Sequence, residues 1–237
     1  MSGSLLLLSS SRADGTGYLA HAVEMLRRVV KPNSRWLFIP YAGVSVGYDQ
    51  YHQMVIEALP QLGCHIDSAH QFADPASVLD QYDGVLVGGG NTFHLLHQLY
   101  HFKLVEAIQA RAAQGMHYVG WSAGSNVAGL SIRTTNDMPI IEPPSFTALE
   151  LVPFQLNPHY IDFHPPGHHG ETRQQRLEEF TKVDPATPIL AIQEGSALLV
   201  EGDTMQLLGR KDAFLFKGET QKQQLDAGSD LSRWLQP

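Results

Sequence analysis

The 237-residue sequence predicts an α/β fold: a mostly parallel sheet with helices on both faces, followed by a C-terminal antiparallel segment. Three observations carry this expectation. From Leu5 to Asn126, short apolar runs alternate with stretches whose apolar residues recur at helical spacing. Glycine-rich turns follow some of those runs, where a parallel sheet collects its functional groups. After Pro188 the rhythm changes to short strands separated by tight turns, the pattern of an antiparallel closure.

The elements follow in order. Leu5–Leu8 reads as a buried strand, and Ser9–Gly17 as a Gly/Ser/Asp loop. Tyr18–Val30 has helical spacing, with Arg27 and Arg28 late in the run where they suit the helix dipole, and Pro32 ends it. Trp36–Ile39 is a strand stopped by Pro40, and Tyr51–Leu62 a helix closed by Gly63. Cys64–Ile66 is a short strand, Asp74-Pro75 starts a helix reaching about Tyr82, and Asp83–Val87 is a strand running into Gly88-Gly-Gly-Asn-Thr92. Thr92–Leu99 and Lys103–Gln114 are helical, and His117–Val119 leads into a turn and a further helix near Asn126. Residues 131–171 are irregular and rich in Pro, Asn, Asp and His, which marks them as functional loops. Thr172–Lys182 is a helix and Pro188–Ile192 a strand ending at Gln193-Glu-Gly195. Ala197–Val200, Thr204–Leu208 and Ala213–Phe216 form the closing strands, and the tail from Leu225 is polar. No repeat or linker interrupts the chain, so one domain over residues 1–237 is expected.

Composition narrows the function. Apolar residues make up 43% and charged residues 17%, enough for a sizeable core. A net charge of −8 disfavours a polyanionic partner, so no nucleic acid is expected. Cys64 is the sole cysteine; it excludes an internal disulfide, suits a reducing compartment and reads as a small buried residue. Met1–Ser10 lacks the basic start of a signal peptide, and no apolar run approaches membrane-spanning length. A cytoplasmic protein, monomer or homodimer, is the expectation.

The chemistry centres on Gly120-Trp-Ser-Ala-Gly124. A serine flanked by glycines two before and two after, between strand and helix, is the nucleophile-elbow pattern. The turn is so sharp that side chains at the glycine positions would collide, and it leaves the hydroxyl exposed at a helix start. A serine nucleophile needs a base, and His159 stands out because Asn157-Pro158 forces a defined turn after the apolar run Leu151–Leu156. The base needs an orienting acid. Asp137 and Glu194 both qualify, the first by chain order, the second by its place at the end of a strand. For the oxyanion, the Ala123 N–H follows the nucleophile, and Gly88–Gly90 offers a second donor on backbone free of side chains. As a phosphate loop, Gly88–Phe93 does not fit G-x-G-x-x-G, and no P-loop is present. His159, His164, His168 and His169 could ligate a metal, but no H-E-x-x-H exists, so neither metal nor cofactor is expected.

Six stretches together resemble the peptidase E family of α-aspartyl dipeptidases: Phe38-Ile-Pro-Tyr-Ala-Gly43, Val87-Gly-Gly-Gly-Asn-Thr-Phe93, Gly120–Gly124, Arg133-Thr-Thr-Asn-Asp-Met-Pro139, Asn157-Pro-His159 and Gly170-Glu-Thr-Arg173. The resemblance spans nearly the whole chain. It implies a scaffold related to class I glutamine amidotransferases and a metal-free serine peptidase that hydrolyses Asp-X dipeptides. It further implies Ser122 as nucleophile, His159 as base, Glu194 or Asp137 as third member with Glu194 favoured, and Gly90 and Ala123 as oxyanion donors. The substrate's aspartate side chain demands a cation. Arg173 is the first choice, since a guanidinium binds carboxylate bidentately, with Arg133 and Arg176 as fallbacks. The alternatives are a related hydrolase cutting β-aspartyl bonds and a non-catalytic small-molecule binding protein on the same scaffold.

Overall fold

A computed structural model describes residues 3–163, 167, 169–219 and 222–236. The parallel core is built from β1 (Ser4–Leu8), β2 (Arg35–Ile39), β3 (His65–Ser68), β4 (Gly84–Val87) and β5 (His117–Trp121). Two antiparallel strands, β8 (Ala197–Glu201) and β9 (Thr204–Leu208), extend it into a seven-stranded sheet of order β3-β2-β4-β5-β1-β8-β9. A second sheet of order β11-β10-β7-β6 comprises β6 (Gln155–Asn157), β7 (Ile189–Ile192), β10 (Ala213–Phe216) and β11 (Gln223–Leu225). Here β6 and β7 run parallel and the remaining pairs antiparallel.

Side-chain alternation explains the layers. Leu6, Leu8, Trp36, Phe38, Val119 and Trp121 face α1 (Val23–Val29) and α2 (Tyr48–Ala58). On the other face, Leu5, Leu7, Leu37, Ile39, Val85 and Val87 share a core with α3 (Thr92–His101), α4 (Leu104–Ala113) and residues of the second sheet such as Leu190 and Leu215. The far side of the second sheet is covered by Leu177 and Phe180 of α6 (Arg173–Val183). The register pairs Leu8 with Trp121, Val87 with Gly120 and Ile39 with Val87. The carboxyl ends of four strands are therefore level, and the loops leaving them meet at one edge, where ligands bind in such sheets.

Several expectations are corrected. The predicted antiparallel closure is divided: β8 and β9 join the main sheet, whereas β10 pairs with β7 in the second. The strand preceding Glu194 thus belongs to the second sheet and not to the parallel one. The helix expected from Tyr18 begins only at Val23, because Leu19 takes a left-handed φ of 54°. The next helix starts earlier, at Tyr48, and Pro60 confines its end to a separate 3-10 turn at Pro60–Leu62. The helix expected from Asp74 is a 3-10 stretch, Pro75–Gln81, with the Asp74 side chain accepting from Ser77 N–H. Inside the irregular stretch, β6 is a strand too short for its alternation to be read.

Close packing at the turn after β5 makes a specific demand. A Cβ on Gly124 would lie 2.1 Å from the Val87 carbonyl oxygen, whereas one on Gly47 would meet nothing within 4 Å. Gly124→Ala is expected to lower unfolding free energy by about 1–3 kcal/mol. Gly47→Ala, at the N-cap of α2 and free of any clash, should lower it less, by about 0.5 kcal/mol. Urea denaturation midpoints of both variants check this; equal midpoints would contradict it.

Candidate active site

Ser122 has φ 55° and ψ −115°, outside the regions open to most residues, so its neighbours must hold it there. Its N–H donates to Leu8 O at 3.1 Å, and its carbonyl accepts from Ser125 and Asn126, each at 2.9 Å. These bonds start the short helix α5 (Ala123–Asn126). The Ser125 hydroxyl bonds to Leu8 O at 2.6 Å, and the Tyr118 hydroxyl donates to Gly124 O at 2.6 Å. A Cβ on Gly120 would sit 2.4 Å from Gly124 O, and one on Gly89 would sit 2.9 Å from the Ser122 Cβ. The glycines are therefore there for close approach, as the sequence pattern predicts.

His159 follows β6 and has a left-handed φ of 55°, which aims its ring at the end of β5. Its Nε2 lies 2.9 Å from Ser122 Oγ and its Nδ1 lies 2.8 Å from Glu194 Oε1. An ionised carboxylate can only accept, so Nδ1 carries the ring proton toward Glu194. Nε2 is then left to accept from the serine hydroxyl. Glu194 follows β7, which pairs with β6 through Asn157↔Ala191. Its side chain is about half exposed, at 51%.

Asp137, the other acid considered, is not on the imidazole. Its Oδ2 accepts from Thr92 N–H at 2.7 Å and from the Thr92 hydroxyl at 2.6 Å. Arg173 stands at the start of α6, capped by Thr172, and lines the same cleft as Ser122, His159 and Glu194. Its Nη1 is buried and has no hydrogen-bond partner among the described residues. Burial and the neighbouring Arg176 pull the Arg173 guanidinium below its ordinary value, against the opposing pull of Asp137. It remains cationic at neutral pH.

Arg133 is spent elsewhere. Its Nη2 pairs with Asp184 at 3.0 Å, and its guanidinium lies 4.9 Å from the Phe180 ring centre. It lines neither cleft at Ser122, so the structure does not bring it to the site as a cation for substrate. Arg176 is exposed and pairs with Glu171 at 3.5 Å, as a surface arginine would. Of the four histidines considered as metal ligands, His164 and His168 lie outside the described residues. Among the described residues, no group of three or more His, Cys, Asp or Glu could hold a metal ion.

Two clefts meet at Ser122 and His159. One, about 300 Å³, is polar and lined by Thr135, Asn136, Asp137, Arg173 and Glu194. The other, about 620 Å³, has walls from Tyr18, Val44, Val46, Tyr51, Met54 and Ile140, with Gly89 and Gly90 on its floor. Gly90 has φ +139°, and a Cβ there would lie 2.2 Å from Ala42 O. Ala123, first in α5, has no acceptor for its N–H within its own helix. The loop carrying Gly90 is fastened by the Tyr51 hydroxyl, which donates to Gly89 O at 2.9 Å and receives Trp121 Nε1 at 3.3 Å. Burial raises the Tyr51 phenol, keeping it a donor. Sequence reading missed Tyr51, Thr92 and Ser9, the last of which bonds to His159. The usable signal for Ser9 was its place just past the carboxyl end of the first strand.

The fold and this geometry define a site able to deliver a serine hydroxyl to a carbonyl beside a fixed base and a half-buried cation. The description of peptidase family S51 matches residues 5–208. A peptidase E of Shewanella baltica strain OS195 is 59% identical over 232 residues, covering 98% of this chain and 97% of its own. A peptidase E of Shewanella oneidensis is 56% identical, covering 99% of this chain and 100% of its own. The crystal structure of a peptidase from an acI-B1 Actinobacterium superposes with a TM-score of 0.69 at 19% identity, over 98% of this chain and 97% of that one. The chain belongs to peptidase family S51 and is a peptide hydrolase. No helix among the described residues is long and apolar enough to cross a membrane.

The Arg133–Asp184 pair yields a stability test. Burial alone would raise the Asp184 carboxyl, but hydrogen bonds from Thr187 and Arg133 hold it below its ordinary value. A depressed carboxylate stabilises above its unfolded pKa, and that contribution fades as pH falls through the folded value. Arg133→Ala is expected to cost about 0.5–1 kcal/mol at pH 7, and less below about pH 3.8, the ordinary value for Asp184. KM for substrate should be unaffected. Unfolding curves at both pH values and a KM comparison check this; a KM rise of tenfold or more would return Arg133 to the substrate.

Proposed function

We propose that this chain is a serine dipeptidase for substrates with an N-terminal aspartate, Asp-X, working through an aspartyl-enzyme ester. The observation that carries the reading is the continuous hydrogen-bond chain Ser122 Oγ, His159 Nε2, His159 Nδ1, Glu194 Oε1, with the half-buried Arg173 in the same cleft. Membership of the peptidase family supports it. Ser122 comes from the first sheet and His159 and Glu194 from the second, which supports reading residues 1–237 as one catalytic domain.

The reaction follows from these roles. Ser122 Oγ attacks the carbonyl carbon of the aspartyl residue as His159 Nε2 takes the hydroxyl proton. Glu194 keeps the ring in the tautomer that can accept that proton and stabilises the imidazolium that results; such base catalysis is worth about 10²–10⁴-fold. The carbonyl oxygen becomes an oxyanion facing the Gly90 and Ala123 N–H groups, each worth about 10²–10³ in rate. Collapse breaks the C–N bond, and His159 protonates the departing amine of X. Water then attacks the ester, giving its proton to His159, and aspartate leaves as Ser122 recovers its hydrogen. Arg173 pairs with the aspartate side chain in the polar cleft, and X occupies the apolar one, where side chains of varied size fit its open walls.

Two outcomes test the assignment. Ser122→Ala is expected to lower kcat on Asp-Leu by about 10⁴-fold or more, and Glu194→Gln by about 10²–10⁴-fold, with melting temperatures near wild type. Amine release assays check this; turnover that persists in Ser122→Ala contradicts the mechanism. Arg173→Met is expected to reduce kcat/KM for Asp-Leu by about 10- to 100-fold while narrowing its advantage over Asn-Leu and β-Asp-Leu. An unchanged preference would move the carboxylate site elsewhere.

A further inference from the structure

Cleavage after the first residue places the substrate's α-ammonium on the carbon next to the carbonyl that Ser122 attacks. A group that recognises it must line the wall beside Ser122. Among the described residues lining the two clefts at Ser122, Asp137 and Glu194 are the carboxylates. Glu194 is engaged by His159 Nδ1. Asp137 borders both clefts, as do Ser122 and His159.

Asp137 is also held as a binding group would be. Its Oδ2 receives two hydrogen bonds, from the main chain and hydroxyl of Thr92 at the first position of α3. The Thr135 hydroxyl braces the same threonine at 3.0 Å, and the Asp137 N–H bonds to the Thr135 hydroxyl at 3.3 Å. Among the described residues, Oδ1 has no donor. Both ring nitrogens of His159 are occupied, so Asp137 has no place on the base. Arg173 feels the Asp137 charge, yet among the described residues the two form no direct ion pair, which leaves room for a ligand between them.

We propose that Asp137 is the ammonium subsite: its free oxygen pairs with the α-ammonium of the substrate while Arg173 pairs with the aspartate side chain. This rests on the Asp-X reading above. The two charges of an N-terminal aspartyl group, carried on neighbouring carbons, then meet two opposite charges fixed on one cleft wall. The pairing also accounts for action at a free N-terminus. A residue preceding the aspartate replaces the ammonium by a bulky, uncharged amide, and Asp137 is left desolvated without a partner.

The test removes the ammonium from the substrate and the carboxylate from the protein in turn. Succinyl-Leu is Asp-Leu without its α-amino group, and succinamoyl-Leu stands in the same relation to Asn-Leu. Wild type is expected to prefer Asp-Leu to succinyl-Leu by about 10- to 100-fold in kcat/KM or more. In Asp137→Asn, which keeps an oxygen for Thr92, that preference should fall by about 10- to 100-fold, chiefly through KM on Asp-Leu. An equal loss on both substrates in Asp137→Asn overturns the proposal and makes the residue part of the reaction machinery; an unchanged preference overturns it as well. Should wild type cleave Asn-Leu and not Asp-Leu, the aspartate reading fails and the same comparison with succinamoyl-Leu still decides Asp137. Cleavage of neither overturns both.

Discussion

The hydroxyl of Ser9, fully buried just past β1, donates to Ile192 O and accepts from the His159 N–H, both at 2.9 Å. Its own N–H donates to Ser196 O at 2.9 Å. One side chain thus ties the main sheet to the two segments of the second that carry the base and its acid. The preceding residue is tied to the nucleophile, since Leu8 O accepts from both Ser122 N–H and the Ser125 hydroxyl. The end of β1 therefore sets where the serine and the histidine stand relative to one another. A shift of an ångström there would break a geometry that depends on a 2.9 Å contact.

The surrounding charges are sorted by what each is bound to. Three carboxylates or guanidiniums that sequence alone left interchangeable have separate partners: Glu194 on the imidazole, Asp137 on Thr92, Arg133 on Asp184. Arg173 differs from Arg133 and Arg176 in holding a buried nitrogen that has no partner among the described residues. Burying a polar atom unpaired costs about 1–3 kcal/mol, a cost that a carboxylate ligand would relieve. The two clefts divide along the same line. One side of the reacting serine is charged and small, the other apolar and open, which matches a substrate fixed at its first residue and variable at its second.

The alternation of strands and helices, the elbow and the histidine after Asn157-Pro158 were legible in the sequence because each is a local constraint. Glycines at fixed offsets from Ser122 answer to collisions within a few residues, and apolar periodicity answers to burial on one face. The second sheet was not legible. Pro188–Ile192 and Ala213–Phe216 read as strands, but no local pattern says what they pair with, and β6 is only three residues long and meets β7 across an intervening helix. The choice between Glu194 and Asp137 was open for the same reason. Both follow ordered segments, and only the tertiary pairing of β6 with β7 brings Glu194 alongside His159. Ser9 stood just past the carboxyl end of the first strand, but in a run of three serines its position alone did not separate it from Ser10 and Ser11.

In the proposed reaction Ser122 becomes esterified by the aspartyl group while His159 and Glu194 manage the proton. The most direct measurement is rapid acid quench during turnover of aspartyl-p-nitroanilide, followed by mass analysis of the peptide containing Ser122. The expected result is an added aspartyl group on that peptide, absent in Ser122→Ala and reduced in Glu194→Gln. Full turnover with no adduct on Ser122 at any quench time, and product formation undiminished in Ser122→Ala, would contradict it.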